Sequence, residues 1–274
     1  MLGSNARGFI ALLAAATLAA CGSDKATAPA AVTVPPIDLT AVLSQLSLGG
    51  LDNIPSVASL LGLPTSLASP TVVPASCTYA ATSHGFACPT VSAQGVSFDL
   101  TYYLYDAAGQ PQSQTSGINT TTASIRTVTD SKGTLTLPNL GVTTRSAAIV
   151  SHSDNTMSGL LATNAMLNGT STVHYDLTTS GPPVDHAVVD VTSATSNVVL
   201  PARTAPSPSY PLSGTLTSDV KNVSSSGILA GVTTSARLAV TFNGTSSPPA
   251  TITVAGITRT CKIDLSGHTA PTCS

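Results

Sequence analysis

The chain has 274 residues, of which only 8% are charged, and its formal net charge at pH 7 is −2. All 12 acidic residues are Asp, Trp is absent, and the 10 Lys and Arg residues form no run. Such a chain has little positive charge to attract a phosphate backbone, so we expect no nucleic-acid partner. Thr, Ser, Val and Gly are plentiful while Glu is absent, which favours strands and turns over helices.

The first 20 residues have the organisation of a signal peptide. Arg7 supplies positive charge, and residues 8–17 form an apolar stretch too short for a lasting transmembrane helix. Leu18-Ala19-Ala20-Cys21 follows. These four residues resemble the lipobox of bacterial lipoprotein precursors, and the resemblance covers only this first part of the chain.

This resemblance implies cleavage before Cys21 and a diacylglycerol on the Cys21 thiol. Each acyl CH₂ buried in a bilayer contributes about 0.8 kcal/mol, so several chains anchor a protein firmly. Gly22, rather than Asp, follows the cysteine. By resemblance to lipoprotein sorting in bacteria with two membranes, that residue favours the outer membrane of the cell envelope. The alternative is an ordinary secreted protein cleaved after Ala20, in which Cys21 is a spare thiol.

Two segments separate the predicted anchor from the remaining chain. Residues 21–37 have no apolar period and predict a disordered tether behind the lipidated cysteine. Residues 38–67 predict one or two short helices, since Leu39, Val42, Leu43 and Leu46 follow a helical spacing that Gly49-Gly50 ends. We expect these helices to cover one end or face of a sheet. The alternative is a lid over an apolar cavity.

Residues 76–274 predict an all-β domain. Side chains alternate along Val96, Phe98, Leu100, Tyr102 and Leu104, and similar alternation occurs at 173–177, 238–242 and 261–265. Short turns favour antiparallel neighbours, because parallel pairing needs long crossovers. The domain is therefore predicted to be an antiparallel meander of about nine to twelve strands, forming either a barrel or a two-layer sheet.

Turn signals divide this domain into strands. They occur at the following places: Asp106-Ala107-Ala108-Gly109, Asp130-Ser131-Lys132-Gly133, Ser180-Gly181, Asn243-Gly244 and Ala255-Gly256. Residues 201–211 contain four prolines and therefore predict a loop or a joint between sub-sheets, not a central strand.

Five cysteines are present, so lipidation of Cys21 leaves an even four. An exported chain meets oxidising conditions, and disulfides are therefore expected. We favour the local pairs Cys77–Cys88 and Cys261–Cys273, since each pair flanks a turn. Linkage between the two ends of the domain is the alternative. Neither pair has the close cysteine spacing of a zinc site.

The sequence contains no recognisable catalytic or cofactor motif, and no cofactor is predicted. One group of side chains is a candidate site. It consists of His174, Asp176, His186 and Asp190. By a period of two, all four share one face of one hairpin. Imidazoles and carboxylates together suit metal binding or acid–base chemistry, whereas an ordinary solvated face with one cross-strand ion pair is the simpler interpretation.

The register of this hairpin depends on its turn. A turn centred on Gly181 places Asp176 opposite His186, and Thr172 opposite Asp190. A slip by one residue moves side chains to the other face.

These observations favour an exported, lipid-anchored lipoprotein whose β-domain is a binding or structural module without catalytic activity. Its expected partners are the membrane, through acylated Cys21, and a protein or small molecule of unknown identity. One alternative is a carrier or sensor of an apolar small ligand held in a barrel cavity. A second alternative is a hydrolase that uses the His/Asp face.

Overall fold

The computed structural model describes residues 76–93, 95–114, 120–140, 143–180, 185–202, 210–224, 231, 233–263, 265 and 272–273. The predicted signal peptide, the tether and the helical segment 38–67 lie outside these residues. So do residues 203–209 of the predicted proline-rich loop. These four expectations therefore stay predictions.

The regular structure of the described residues consists of 13 β-strands without a helix. In chain order they are β1 (Thr78–Ala80), β2 (Gly85–Ala87), β3 (Val91–Ala93), β4 (Val96–Asp106), β5 (Thr122–Leu140), β6 (Thr143–Ser158), β7 (Ala165–Ser180), β8 (Asp185–Leu200), β9 (Ser213–Ser224), β10 (Thr233–Thr241), β11 (Pro249–Val254), β12 (Ile257–Lys262) and β13 (Thr272–Cys273).

All of these strands belong to one antiparallel sheet. Its path runs β1-β2-β4-β5-β6-β7-β8-β9-β10-β11-β12-β13, and β3 pairs with β4 beside this path. The predicted all-β antiparallel meander is therefore confirmed. The two ends of the path, β1 and β13, pair only with β2 and β12 among the described strands, so the sheet is not closed into a barrel. The two-layer alternative fits this open sheet.

Side-chain alternation gives the sheet two different faces. The face that we call the core face carries Leu104 of β4, which lies directly opposite Ile125 of β5. Met157 and Leu167 continue this row on β6 and β7. All four are buried, and the partly buried Leu160 contacts both apolar clusters to which they belong. The core of the domain therefore follows one side of the sheet.

A row of buried hydroxyl groups crosses the core face. Ser153, Ser171, Ser193 and Ser218 lie opposite one another on β6, β7, β8 and β9. All four are buried, and the Ser193 hydroxyl donates to the Ser218 hydroxyl over 3.0 Å. Hydrogen bonding of this kind offsets the cost of removing a hydroxyl from water. The alternation of the sequence alone did not indicate that these serines are buried.

One predicted turn is wrong. Asp130-Ser131-Lys132-Gly133 lies inside β5, a strand of 19 residues. Gly133 has a φ of 155°, and a Cβ atom on it would lie 2.1 Å from the carbonyl oxygen of Gly95. The glycine therefore permits a close approach of β4 to β5 rather than a reversal of the chain.

Other turn signals are confirmed. Asp106 Oδ1 accepts hydrogen bonds from the backbone N–H groups of Ala108 and Gln110 after β4. Ala255 and Gly256, with φ of 50° and 83°, join β11 to β12. Positive φ at both central residues is typical of the tight hairpin turn that suits twisted strands.

Candidate functional site

The β7–β8 hairpin carries the four candidate side chains on the face opposite the core, which we call the polar face. His174 lies directly opposite Asp190, Asp176 opposite Val188, and His186 opposite Thr178. The predicted pairings of Asp176 with His186 and of Thr172 with Asp190 are therefore wrong. In the described part of the hairpin, Thr179 lies opposite Asp185, so the register is shifted by two residues from the predicted one. A shift by two residues keeps every side chain on its face.

The four side chains form two hydrogen-bonded pairs. His174 Nδ1 lies 2.7 Å from Asp190 Oδ1, directly across the hairpin. His186 Nε2 lies 2.6 Å from Asp176 Oδ1, its diagonal neighbour. About half of each side chain of the first pair is exposed to solvent, and the second pair is only slightly less exposed. Solvent screening keeps the contribution of such a pair to stability below about 1 kcal/mol.

A third pair of the same kind lies on the polar face two strands away. His152 Nδ1 of β6 lies 2.8 Å from Asp130 Oδ1 of β5, and the two residues are direct cross-strand neighbours. The sequence did not predict this pair, because Asp130 was expected to lie in a turn. The period of two that places His152 and Asp154 on one side of a strand could have indicated a polar face here.

Arg126 and Asp154 form the least exposed ion pair of the polar face. Arg126 Nε donates to Asp154 Oδ1 over 2.8 Å, and Arg126 Nη2 donates to Asp154 Oδ2 over 2.6 Å. The guanidinium also lies 5.2 Å from the centre of the Tyr103 ring. Because Asp154 accepts these hydrogen bonds as a carboxylate, its pKa is lowered. The same hydrogen bonds raise the pKa of Arg126. Two parallel hydrogen bonds fix the guanidinium and the carboxylate in one relative orientation.

The arrangement of the polar face limits its chemistry. Each imidazole contacts one carboxylate, and no three His, Cys or Asp side chains of the described residues form a group that could hold a metal ion. A carboxylate that contacts one ring nitrogen can orient an imidazole for proton transfer at the other nitrogen. The metal or acid–base role of His174, Asp176, His186 and Asp190 therefore stays a prediction, and it depends on two separate pairs.

The cysteines pair as we favoured. Cys77 is bonded to Cys88, and Cys261 is bonded to Cys273. The first bond joins the segments flanking β1 and β2 at one end of the sheet, and the second joins β12 to β13 at the other end. The linkage between the two ends of the domain is thereby contradicted. Cys21 lies outside the described residues, and its lipidation stays a prediction.

Comparison with known proteins assigns no family to the chain. No protein-family model, curated protein or solved structure matches it. Within the part of the chain that the structure describes, no helix has the length and apolarity needed to cross a membrane.

Proposed function

We propose that this protein is an exported lipoprotein, anchored by acylated Cys21, whose β-sheet is a binding or structural module of the cell envelope. The proposal for the anchor rests on the resemblance of Leu18-Ala19-Ala20-Cys21 to a lipobox. It includes the outer membrane as the site of anchoring, because Gly22 follows the cysteine. The domain would then be held at the membrane surface by the tether of residues 21–37.

The module proposal rests on the polar face, whose charged side chains pair with one another. Five ion pairs of the described residues lie on it: Arg126–Asp154, His152–Asp130, His174–Asp190, His186–Asp176 and Arg237–Asp219. Because these charged groups already contact one another within the sheet, few of them are available to act on a bound substrate. They instead give a hydrated surface of fixed shape, which suits recognition or spacing.

The size of this surface supports the same proposal. Strands β5 to β8 have 16 to 19 residues each. At about 3.3 Å per residue, a strand of 16 residues is roughly 50 Å long. Four such strands side by side offer a broad, nearly continuous face, whereas an enzyme of this size commonly places its reactive groups in a concave site. A protein or a small molecule in the envelope is the expected partner.

A second candidate function, hydrolysis, rests on the short His–Asp contacts of the β7–β8 hairpin. Distances of 2.7 and 2.6 Å would hold His174 and His186 in fixed orientations. General base catalysis needs such orientation. The carrier hypothesis has less support, since its apolar cavity was placed in a barrel and the described sheet is open.

The anchor is tested by expressing the full precursor in a bacterium with two membranes and labelling the cells with palmitate. We expect wild-type protein to incorporate label and to fractionate with the outer membrane, and Cys21→Ser to lose both properties. Gly22→Asp is the matched variant: it should keep the label but move to the inner membrane. Equal labelling of wild type and Cys21→Ser would overturn the lipidation, and an unmoved Gly22→Asp would overturn the sorting argument.

A further inference from the structure

The two disulfides lie at opposite ends of the open sheet. The strands beside them differ in how many other contacts hold them in place. Beside Cys77–Cys88, β1 and β2 form three cross-strand pairs. The ring of Tyr79 also packs 5.2 Å from that of Phe86, and Phe86 is buried in the core. These contacts do not depend on the disulfide. This bond therefore reinforces a hairpin that the core already holds.

At the other end, the disulfide joins a very short strand to the sheet. This strand, β13, consists of Thr272 and Cys273, and among the described residues it pairs with Lys262 and Cys261 of β12. Two backbone pairs cannot hold a strand against the entropy of the free chain, because even longer isolated hairpins are marginal in water. The covalent bond between Cys261 and Cys273 is therefore the strongest contact of β13 within the described residues.

The two cysteines of this bond differ in burial. Cys273 is exposed, whereas Cys261 is 2% exposed and packs with Ile252 and Val254. Thiol–disulfide exchange proceeds by attack of a thiolate on an accessible sulfur. Attack on Cys273 is therefore open to an external thiol. At the other disulfide, Cys77 and Cys88 are both half-buried.

We propose that Cys261–Cys273 is a redox latch, and that its reduction releases β13 while the rest of the sheet stays folded. The reductant is a protein dithiol of the thiol–disulfide oxidoreductase class. One of its thiolates bonds to Cys273 Sγ, the Cys261–Cys273 bond breaks, and Cys261 leaves as a thiolate that takes up a proton. The second thiolate of the dithiol then displaces Cys273, which is also protonated. The dithiol is oxidised to its own disulfide, and two electrons have passed to the latch.

Release of β13 changes the edge of the sheet. β12 runs from Ile257 to Lys262, and without β13 it becomes the outermost strand. Ile257 is 61% exposed even with the latch closed. An outer strand presents backbone N–H and C=O groups to which another extended chain can pair. Since β13 pairs with Cys261 and Lys262, the latch controls whether the edge open to strand addition extends over these two residues.

The test is mild reduction of the mature lipidated protein in detergent with dithiothreitol. Samples are alkylated at intervals and mapped by peptide mass spectrometry, with hydrogen exchange measured in parallel. We expect the Cys261 and Cys273 thiols to be labelled at least about tenfold faster than those of Cys77 and Cys88. Backbone exchange should rise at residues 261–262, which pair with β13, and stay slow in β5–β8.

Matched double variants complete the experiment. Cys261→Ser/Cys273→Ser should show fast exchange at positions 261–262 without reductant and no further change with it. Cys77→Ser/Cys88→Ser should keep these two positions protected until dithiothreitol is added. Equal labelling of the two disulfides, labelling only after β5–β8 lose protection, or protection at positions 261–262 that survives full reduction would each overturn the latch.

Discussion

The two faces of the long strands share the same backbone but differ in the contacts that their side chains make. On the core face, apolar side chains such as Leu104 and Leu167 pack together, and buried serines bond among themselves. On the polar face, charged side chains pair with partners on neighbouring strands while remaining in contact with water. Serine and threonine occur on both faces, so composition does not separate them. The position of a residue in the alternation decides which environment it meets.

Side chains on the two faces contribute to stability in different ways. A buried apolar side chain contributes through the area that it removes from water and through close packing, and its removal leaves a cavity. An exposed ion pair gains little, because water screens the attraction and two side chains lose freedom. Substitutions of similar size should therefore cost much more on the core face than on the polar face.

The largest expected effect is at Leu104, which is fully buried at 0% exposure. Leu104→Ala should lower the free energy of unfolding by about 2 to 5 kcal/mol, since the apolar cluster around it cannot close the cavity completely. Urea unfolding followed by circular dichroism measures this change. Val150→Ala is the matched control on the polar face, where Val150 is 59% exposed, and it should cost less than about 0.5 kcal/mol. Similar losses for the two variants would contradict the assignment of the faces.

A smaller effect is expected at the partly buried pair of the polar face. Asp154→Asn removes the carboxylate that Arg126 contacts with two hydrogen bonds, and it should cost about 1 kcal/mol at pH 7. Asp219→Asn is the control, because Asp219 lies 3.6 Å from Arg237 and is half exposed, so it should change stability very little.

The same variant predicts a dependence on pH. The pKa of Asp154 is lowered in the folded protein by its hydrogen bonds with Arg126. The stabilisation is therefore fully present above the unfolded-state pKa, about 3.9, and is lost as the pH falls through the lower folded-state value. The stability difference between wild type and Asp154→Asn should shrink below about pH 4. A difference that grows on acidification would show that the carboxylate is not stabilised by Arg126.

The smallest effect is expected at the candidate site. His174→Ala/His186→Ala should change the free energy of unfolding by less than about 1 kcal/mol, because both pairs are exposed. Thermal melting should also be indifferent to added zinc. A metal held at 100 times its dissociation constant would add about 2.7 kcal/mol, which a raised melting temperature would reveal.

His152→Ala serves as the control, because His152 forms the same kind of pair outside the β7–β8 hairpin. A zinc-dependent rise in wild type that the hairpin double variant abolishes and His152→Ala retains would establish a metal site. That result would replace the module proposal for this face.

Several features of the fold were readable from the sequence. The period of two from Val96 to Leu104 placed their side chains on one face, and it did so because extended backbone alternates its side chains without reference to the rest of the chain. The local disulfides were also accessible, since short loops that reverse direction bring their cysteines together. His174, Asp176, His186 and Asp190 were correctly placed on one face for the same local reason.

The wrong predictions fall at positions where the same local residues are compatible with two different structures. Gly133 follows three residues that are typical of a turn. It lies inside a strand instead, where the absence of a Cβ atom allows β4 to approach closely. The register of the β7–β8 hairpin was wrong by two residues because a shift of two preserves the face, and the alternation therefore cannot distinguish the two registers.

Patterns within the sequence were enough to predict an all-β antiparallel domain and the alternation of its side chains, and they favoured the local cysteine pairs. These properties depend on residues near one another in the chain. Three features became visible only in the folded chain: the sheet stays open, Asp130 pairs with His152, and a row of serines is buried. Each of these depends on pairing between separate segments of the chain. The distance between two segments along the sequence does not indicate how close they lie in space. Burial and strand pairing are collective properties of the folded chain, so no local pattern specifies them.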